Sequence, residues 1–197
     1  MSLFDSLKRQ LSQELNDQVK KTVTGAVNRA AQSQWTVSFS ALPRTLAEMQ
    51  ALPEAALTQP HFTAALTVAA LCLWPEDREE AKRMLTFLSG PRTLSPMDWQ
   101  QINDRFMDGK GYIPRSYFAG ATPQNDYAPT MPYTLTFRQD PYGCQEENYF
   151  GLLLRSGGAD SERKVKLRKK PSTGQWFLWQ QDLLVGIRVP VSQDAWA

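Results

Sequence analysis

The spacing of the hydrophobic residues changes once along this chain of 197 residues, and that change restricts the fold more than any other feature. In the first half the apolar residues recur every three or four positions, which is typical of helices. In the second half they alternate with polar residues or form short runs between turns, which is typical of strands. Helices followed by strands, without interleaving, predict an α+β domain whose helical first half packs on an antiparallel sheet.

Individual segments of the sequence predict where the central helix and the strands lie. The segment from Pro60 to Trp74 is apolar on nearly every side, so it is predicted to be the central buried helix. A short alternating stretch from Trp35 to Phe39 is predicted to be a strand that leads into the body. About five strands are predicted in the second half, over residues 133–139, 149–155, 164–170, 176–180 and 184–189.

The first 34 residues are predicted to be an amphipathic helical appendage, and residues 35–197 a single α+β domain. Apolar residues four positions apart, from Leu7 to Val27, drift around an ideal helix instead of forming one stripe. Two shorter amphipathic pieces, or a helix that wraps its partner, fit this drift better than a straight coiled coil. Self-association or docking on the body is the favoured role, ahead of reversible membrane contact.

Charge and cysteine content restrict the classes of partner and compartment. The 22 Lys and Arg residues nearly balance the 20 Asp and Glu residues, so binding to nucleic acid or an anionic membrane would need a local patch. No apolar run is long enough to span a bilayer. The two cysteines, Cys72 and Cys144, fit reduced intracellular thiols better than a disulfide framework. We therefore expect a cytoplasmic protein.

The strongest charge signal is the stretch RKVKLRKK at residues 163–170. On a half-buried strand, Val165 and Leu167 face the core while Lys164, Lys166 and Arg168 face outward. The favoured interpretation is a solvated edge strand whose lysines block aggregation. Recognition of an anionic protein or small ligand is the second, and nucleic-acid binding is disfavoured.

Two tryptophans follow this stretch, and either could flank the outward cations. Trp176 and Trp179 are three residues apart, so on a regular strand they face opposite sides and only one can do so. A cationic row beside an aromatic side chain is also what a site for single-stranded nucleic acid would use.

Catalytic signatures are scarce. The single histidine, His61, has no nearby carboxylate or cysteine partner, so neither a metal site nor a cofactor is predicted. The alternative to a binding module is a hydrolase or transferase that uses Asp160 or Glu147 as a general base beside Arg115. We assign no catalytic residue.

Three stretches, GYIPRSYFAGATPQNDYAP, SGGADSERKVKLRKKPSTGQWFLW and IRVPVSQDAWA, together look like a family of uncharacterised bacterial proteins, a domain of unknown function. The resemblance covers about residues 35–197. It implies a bacterial intracellular protein, and it lends no catalytic residue.

The resemblance directs attention to polar residues that core packing does not require, on the proline-rich connection and near the basic stretch. With one tryptophan they form the predicted ligand site: Arg115, Tyr117, Asn125, Tyr127, Asp160, Arg163, Arg168 and Trp176. The arginines would supply charge, and the rings would supply flat contact area. The sequence thus favours a non-enzymatic module that binds a protein or small anionic ligand, provided that the connection folds back over the sheet.

Overall fold

The structure is a computed structural model that describes residues 33–143 and 146–196. The appendage predicted over residues 1–34 therefore lies outside the described residues, except for Ser33 and Gln34. Gln34 is already the first residue of a strand, so the folded body begins slightly earlier than the predicted boundary.

The α+β class is confirmed. The helices are α1 (Leu46–Gln50), α2 (Pro60–Leu73), α3 (Arg78–Ser89) and α4 (Pro96–Arg105). The strands are β1 (Gln34–Phe39), β2 (Tyr133–Gln139), β3 (Tyr149–Leu154), β4 (Arg163–Lys169) and β5 (Trp176–Gln181). All neighbouring strands are antiparallel, in the order β1-β2-β3-β4-β5.

Helix α2 is the centre of the core, as its all-round apolar character predicts. Every residue of α2 except Phe62 and Cys72 is buried, and the helix contacts β1, β3, β4 and β5. A helix with so little polar surface must be covered on all sides. It therefore packs on the inner face of the sheet on one side and against α3 on another.

Local caps fix the two helices that flank α2. Asp77 accepts a hydrogen bond from the backbone N–H of Glu80 at the start of α3, and Ser95 and Asp98 form a reciprocal capping box at the start of α4. Gly90 ends α3 against β5, where an added Cβ would lie 2.3 Å from the ring of Phe177. This close approach ties the helical layer to the β5 edge.

The sheet separates apolar and charged side chains as the pleat requires. Val165 and Leu167 of β4 are fully buried, and the cations that alternate with them, Lys164, Lys166 and Arg168, lie on the outer face. However, β4 lies between β3 and β5, so the interpretation of β4 as an edge strand is wrong.

One predicted strand does not form. Residues 184–189 follow β5 as an irregular segment, and β1 supplies the fifth strand at the opposite edge. Leu184 and Ile187 are buried, so their apolar spacing reflects packing on the core rather than pairing. The carbonyls of Val185 and Gly186 accept hydrogen bonds from the Arg163 guanidinium instead of from a neighbouring strand.

Within the described residues, no helix combines the length and apolar character needed to cross a bilayer.

Candidate functional site

The proline-rich connection, residues 109–132, is ordered by short 3₁₀ turns and by its own polar side chains. The 3₁₀ turns cover Lys110–Tyr112, Pro114–Tyr117 and Pro123–Asn125. The Asn125 side chain accepts from the backbone N–H of Thr122 at 2.8 Å and donates to the carbonyls of Gly120 and Ala128. The oxygen and the nitrogen of the Asn125 amide, which was predicted to bind a ligand, are therefore both used in hydrogen bonds within the loop.

Two tyrosines anchor this connection to the chain that follows β5. The Tyr117 hydroxyl donates to the carbonyl of Leu183 at 2.6 Å, and the Tyr127 hydroxyl donates to the carbonyl of Arg188 at 2.8 Å. Both rings are buried, and burial raises the pKa of Tyr117 above its usual value and that of Tyr127 to about 12. The predicted ligand-binding hydroxyls are therefore occupied within the fold.

The connection does reach the turn that precedes the basic strand. The hydroxyls of Ser116 and Ser156 lie 2.7 Å apart, and the backbone N–H of Gly157 donates to the carbonyl of Ser116 at 2.9 Å. The contact is made by backbone and small side chains, so it joins the two segments without creating a charged pocket.

The charged residues predicted for one site are distributed over several places. Asp160 is exposed and forms an ion pair with Arg188. Arg163 is bonded to Ser161 and to the segment after β5. Arg115 is exposed on its 3₁₀ turn, and within residues 33–143 and 146–196 no hydrogen bond or ion pair joins it to Asp160 or Arg168.

Arg168 lies in a cluster of cations and aromatic rings on the outer face of the sheet. Its guanidinium carbon is 5.3 Å from the ring centre of Tyr149 and 4.8 Å from that of Trp179. The Lys166 ammonium is 4.3 Å from the Tyr149 ring centre, and the Arg92 guanidinium carbon is 5.2 Å from the Trp179 ring centre. We call these five residues the cation–aromatic cluster.

The predicted Trp176 lies on the other face of the sheet. Its ring contacts Phe150 at 5.7 Å between centres and Lys169 at 5.7 Å, whereas Trp179 contacts Arg168. Trp179 is therefore the tryptophan that flanks the outward cations. Sequence spacing showed that only one of the two could do so, but it did not show which one.

A β-bulge positions Trp179. Leu167 pairs with Leu178, but Lys166 pairs with Gln180, so Trp179 is an additional residue on β5. Bulges redirect side chains and are common beside functional sites. Here the bulge places Trp179 and Gln180 together on the outer side of β5.

Counter-charges are distributed unevenly over the cluster. Lys166 pairs with Glu146 at 3.1 Å, and Arg92 pairs with Asp98 at 3.2 Å. Within the described part of the chain, Arg168 has no carboxylate at ion-pair distance. Its exposed guanidinium is held by two rings and keeps its hydrogen-bond donors for another partner.

Residues 41–191 match the family described as a domain of unknown function, DUF6935. The chain belongs to the DUF6935 family. The resemblance to a domain of unknown function is thereby confirmed. No curated protein and no solved structure shows significant similarity to the chain.

The DUF6935 match contains the whole cation–aromatic cluster and the proline-rich connection, but it begins after β1. Strand β1 nevertheless pairs along its full length with β2. The body of the protein thus extends beyond the matched residues at its amino-terminal edge.

The histidine and the cysteine that the structure describes in this DUF6935 chain are not part of the cation–aromatic cluster. His61 is buried and stacked on Trp35, and burial lowers its pKa. Burial likewise raises the pKa of Cys72 to about 12, and Cys144 lies outside the described residues. In the described ranges, no three His, Cys, Asp or Glu side chains are grouped as metal ligands.

Proposed function

We propose that the protein is a non-enzymatic binding module that recognises an anionic group, carried by a small ligand or by a protein, on the outer face of its sheet. The supporting observation is Arg168, an exposed guanidinium held between Tyr149 and Trp179 without a carboxylate partner among the described residues. The planar fork of arginine matches two oxygens of a carboxylate or phosphate. Arg168 is therefore the primary contact.

The neighbouring charges favour an anion at this position. Lys166 and Arg92 add two cations, while Glu146 and Asp98 supply two carboxylates, so Arg168 leaves the group with one net positive charge. In the Lys166–Glu146 pair the Glu146 side chain is largely exposed and the Lys166 side chain is partly buried, and ion pairs at the protein surface contribute only about 0–1 kcal/mol. An incoming anion can therefore displace Glu146 at little cost.

The rings hold the cations in place before a ligand arrives. A cation over an exposed aromatic ring is stabilised by about 0.5–1 kcal/mol. Tyr149 and Trp179 also contact each other edge to face, with ring centres 5.5 Å apart. Side chains fixed in this way lose less entropy when they bind.

The same geometry argues against a platform for nucleic acid. Stacking of bases requires open ring faces. The cations Arg92, Lys166 and Arg168 lie against the rings of Tyr149 and Trp179, so those faces are partly covered. The hydrolase or transferase alternative has no comparable support, because Asp160 pairs with Arg188 rather than with Arg115.

Titration with inorganic phosphate tests the proposal. We expect phosphate to shift the NMR signals of the Arg168 Nε–H and the Trp179 indole N–H. Arg168→Ala removes a charged hydrogen-bond donor, so binding should weaken roughly 10- to 150-fold. Lys170→Ala removes the same charge from an exposed residue just past β4 and should change binding little.

Two results would defeat this proposal. One is a phosphate titration that moves neither signal, and the other is equal weakening by Arg168→Ala and Lys170→Ala. Tight binding of oligothymidylate that weakens steeply with salt would instead identify a nucleic-acid binder.

We also propose that the protein acts in the bacterial cytoplasm. The Cys72 thiol within the buried helix α2 supports a reducing compartment. Fractionation of bacteria that produce the protein tests this, and recovery from the periplasm would contradict it.

A further inference from the structure

A groove lies between α4 and β5, next to the cation–aromatic cluster. Its volume is about 530 Å³, within the range of roughly 300–1,000 Å³ found for small-molecule sites. Its floor is formed by four buried leucines, Leu71, Leu85, Leu178 and Leu184, and Leu94, Ile102 and Val185 supply the apolar surface that is open to solvent. An apolar lining of this size accommodates an aromatic ring or a short alkyl chain.

The groove and the cluster share residues at the β-bulge. Arg92 and Trp179 belong to both, and the Arg92 guanidinium donates to the carbonyl of Trp179. The guanidinium carbons of Arg92 and Arg168 lie 5.2 and 4.8 Å from the same indole. The Trp179 ring therefore links the mouth of the groove to the exposed guanidinium of Arg168.

The charged residues of the groove lie at different points along its length. Asp98, at the start of α4, is paired with Arg92 beside Trp179, and hydrogen bonds from Ser95 lower the Asp98 pKa. Asp104 and Arg105 lie in the last turn of α4, about 10 Å further along the helix axis. Asp182 is the third acid of the lining.

With three acids and two arginines, the groove itself does not attract an anion. The unpaired positive charge lies outside its mouth, at Arg168, with Lys166 nearby. A ligand that satisfies both regions therefore carries its anionic group at the cluster and its apolar group in the groove.

We infer that the ligand is a small amphipathic anion, in which a phosphate or carboxylate is attached to an aromatic ring or short alkyl chain. This inference rests on the proposed function, because the anionic end uses Arg168. The inference adds that the groove binds the apolar group of the ligand and thereby selects among anions.

Calorimetric titration of the full chain with inorganic phosphate and phenyl phosphate tests the groove. Gln101→Trp fills the groove from an exposed position on α4, and Gln100→Trp places the same ring on the same helix outside the groove. We expect wild type and Gln100→Trp to bind phenyl phosphate roughly tenfold more tightly than inorganic phosphate, because the ring is buried. Gln101→Trp should lose that gain and keep its affinity for inorganic phosphate.

The outcomes separate the two proposals. If inorganic phosphate binds but phenyl phosphate binds no more tightly, the groove inference fails and the proposed function stands. If Gln101→Trp retains the full gain, the groove inference also fails. If neither compound binds wild type, the proposed function fails as well.

A phosphotyrosyl pentapeptide distinguishes a free small molecule from a protein side chain. The peptide carries the same phosphorylated ring with a chain on both sides. We expect it to bind more weakly than phenyl phosphate, because a groove of about 530 Å³ between α4 and β5 has room for the ring but little room for a peptide chain on both sides of it. Tighter binding of the peptide would overturn the assignment to a small molecule.

Discussion

Removal of the Tyr117 hydroxyl distinguishes a structural tyrosine from a ligand contact. In the structure this hydroxyl donates to the Leu183 carbonyl at 2.6 Å, and both residues are buried. Tyr117→Phe keeps the ring and removes only the donor. The carbonyl of Leu183 is then left in the core without this partner, where water cannot easily replace it.

The size of the effect follows from that burial. An unsatisfied buried carbonyl costs about 1–3 kcal/mol, and we expect Tyr117→Phe to reduce the free energy of unfolding by that amount. In a chain of this length each kcal/mol lowers the melting temperature by about 2–4 °C. Tyr127→Phe should cost less, about 0.5–1.5 kcal/mol, because its acceptor belongs to the exposed residue Arg188 and water can take over the bond.

Urea unfolding and thermal melts of wild type and the two variants measure these costs, and phosphate titration of the same samples measures binding. We expect both variants to be less stable, Tyr117→Phe more so, with phosphate affinity unchanged. A Tyr117→Phe protein of wild-type stability that no longer binds phosphate would refute the reasoning and return Tyr117 to the ligand site. If both variants lost the same free energy of unfolding, burial of the acceptor carbonyl would not determine the size of the loss.

Two other predictions concern pH and the amino terminus. Burial lowers the His61 pKa, so as the pH falls the unfolded state takes up a proton on this residue before the folded state does. The free energy of unfolding should therefore show no loss from His61 above about pH 6.5 and should decrease below it. In urea unfolding, His61→Phe should lose less stability than wild type between pH 7 and pH 5, and an identical loss would contradict us. Deletion of residues 1–32 should leave a folded body with an altered assembly state by light scattering, and an unchanged mass or an unfolded product would count against it. The cut precedes Ser33 because its carbonyl accepts from the backbone N–H of Gln139.

Local sequence patterns predicted the elements whose causes are themselves local. The alternation around Val165 requires only that one face of the strand be buried. Helix α2 is buried because almost none of its surface is polar. In each case the pattern and its physical reason lie within one element, so one sequence was enough.

The candidate site could not be predicted in the same way, because it depends on distant contacts. Tyr117 is 66 residues from its acceptor Leu183, so its spacing gave no sign that the hydroxyl was occupied. Arg92 was not among the predicted site residues, since only the fold brings it to Trp179 across 87 residues. The exposed Arg168 was predicted, because the pleat alone places it outward.

The position of β4 within the sheet changes the meaning of its cations. Outward lysines and arginines on an edge strand prevent pairing with other chains. Strand β4 is paired on both sides, so Lys166 and Arg168 have no edge to protect. Solubility alone requires charge on the outer face, but it does not require Arg168 between two rings and next to a bulge that turns Trp179 toward it. This arrangement holds the guanidinium against two rings, which supports the proposed binding of an anion at Arg168.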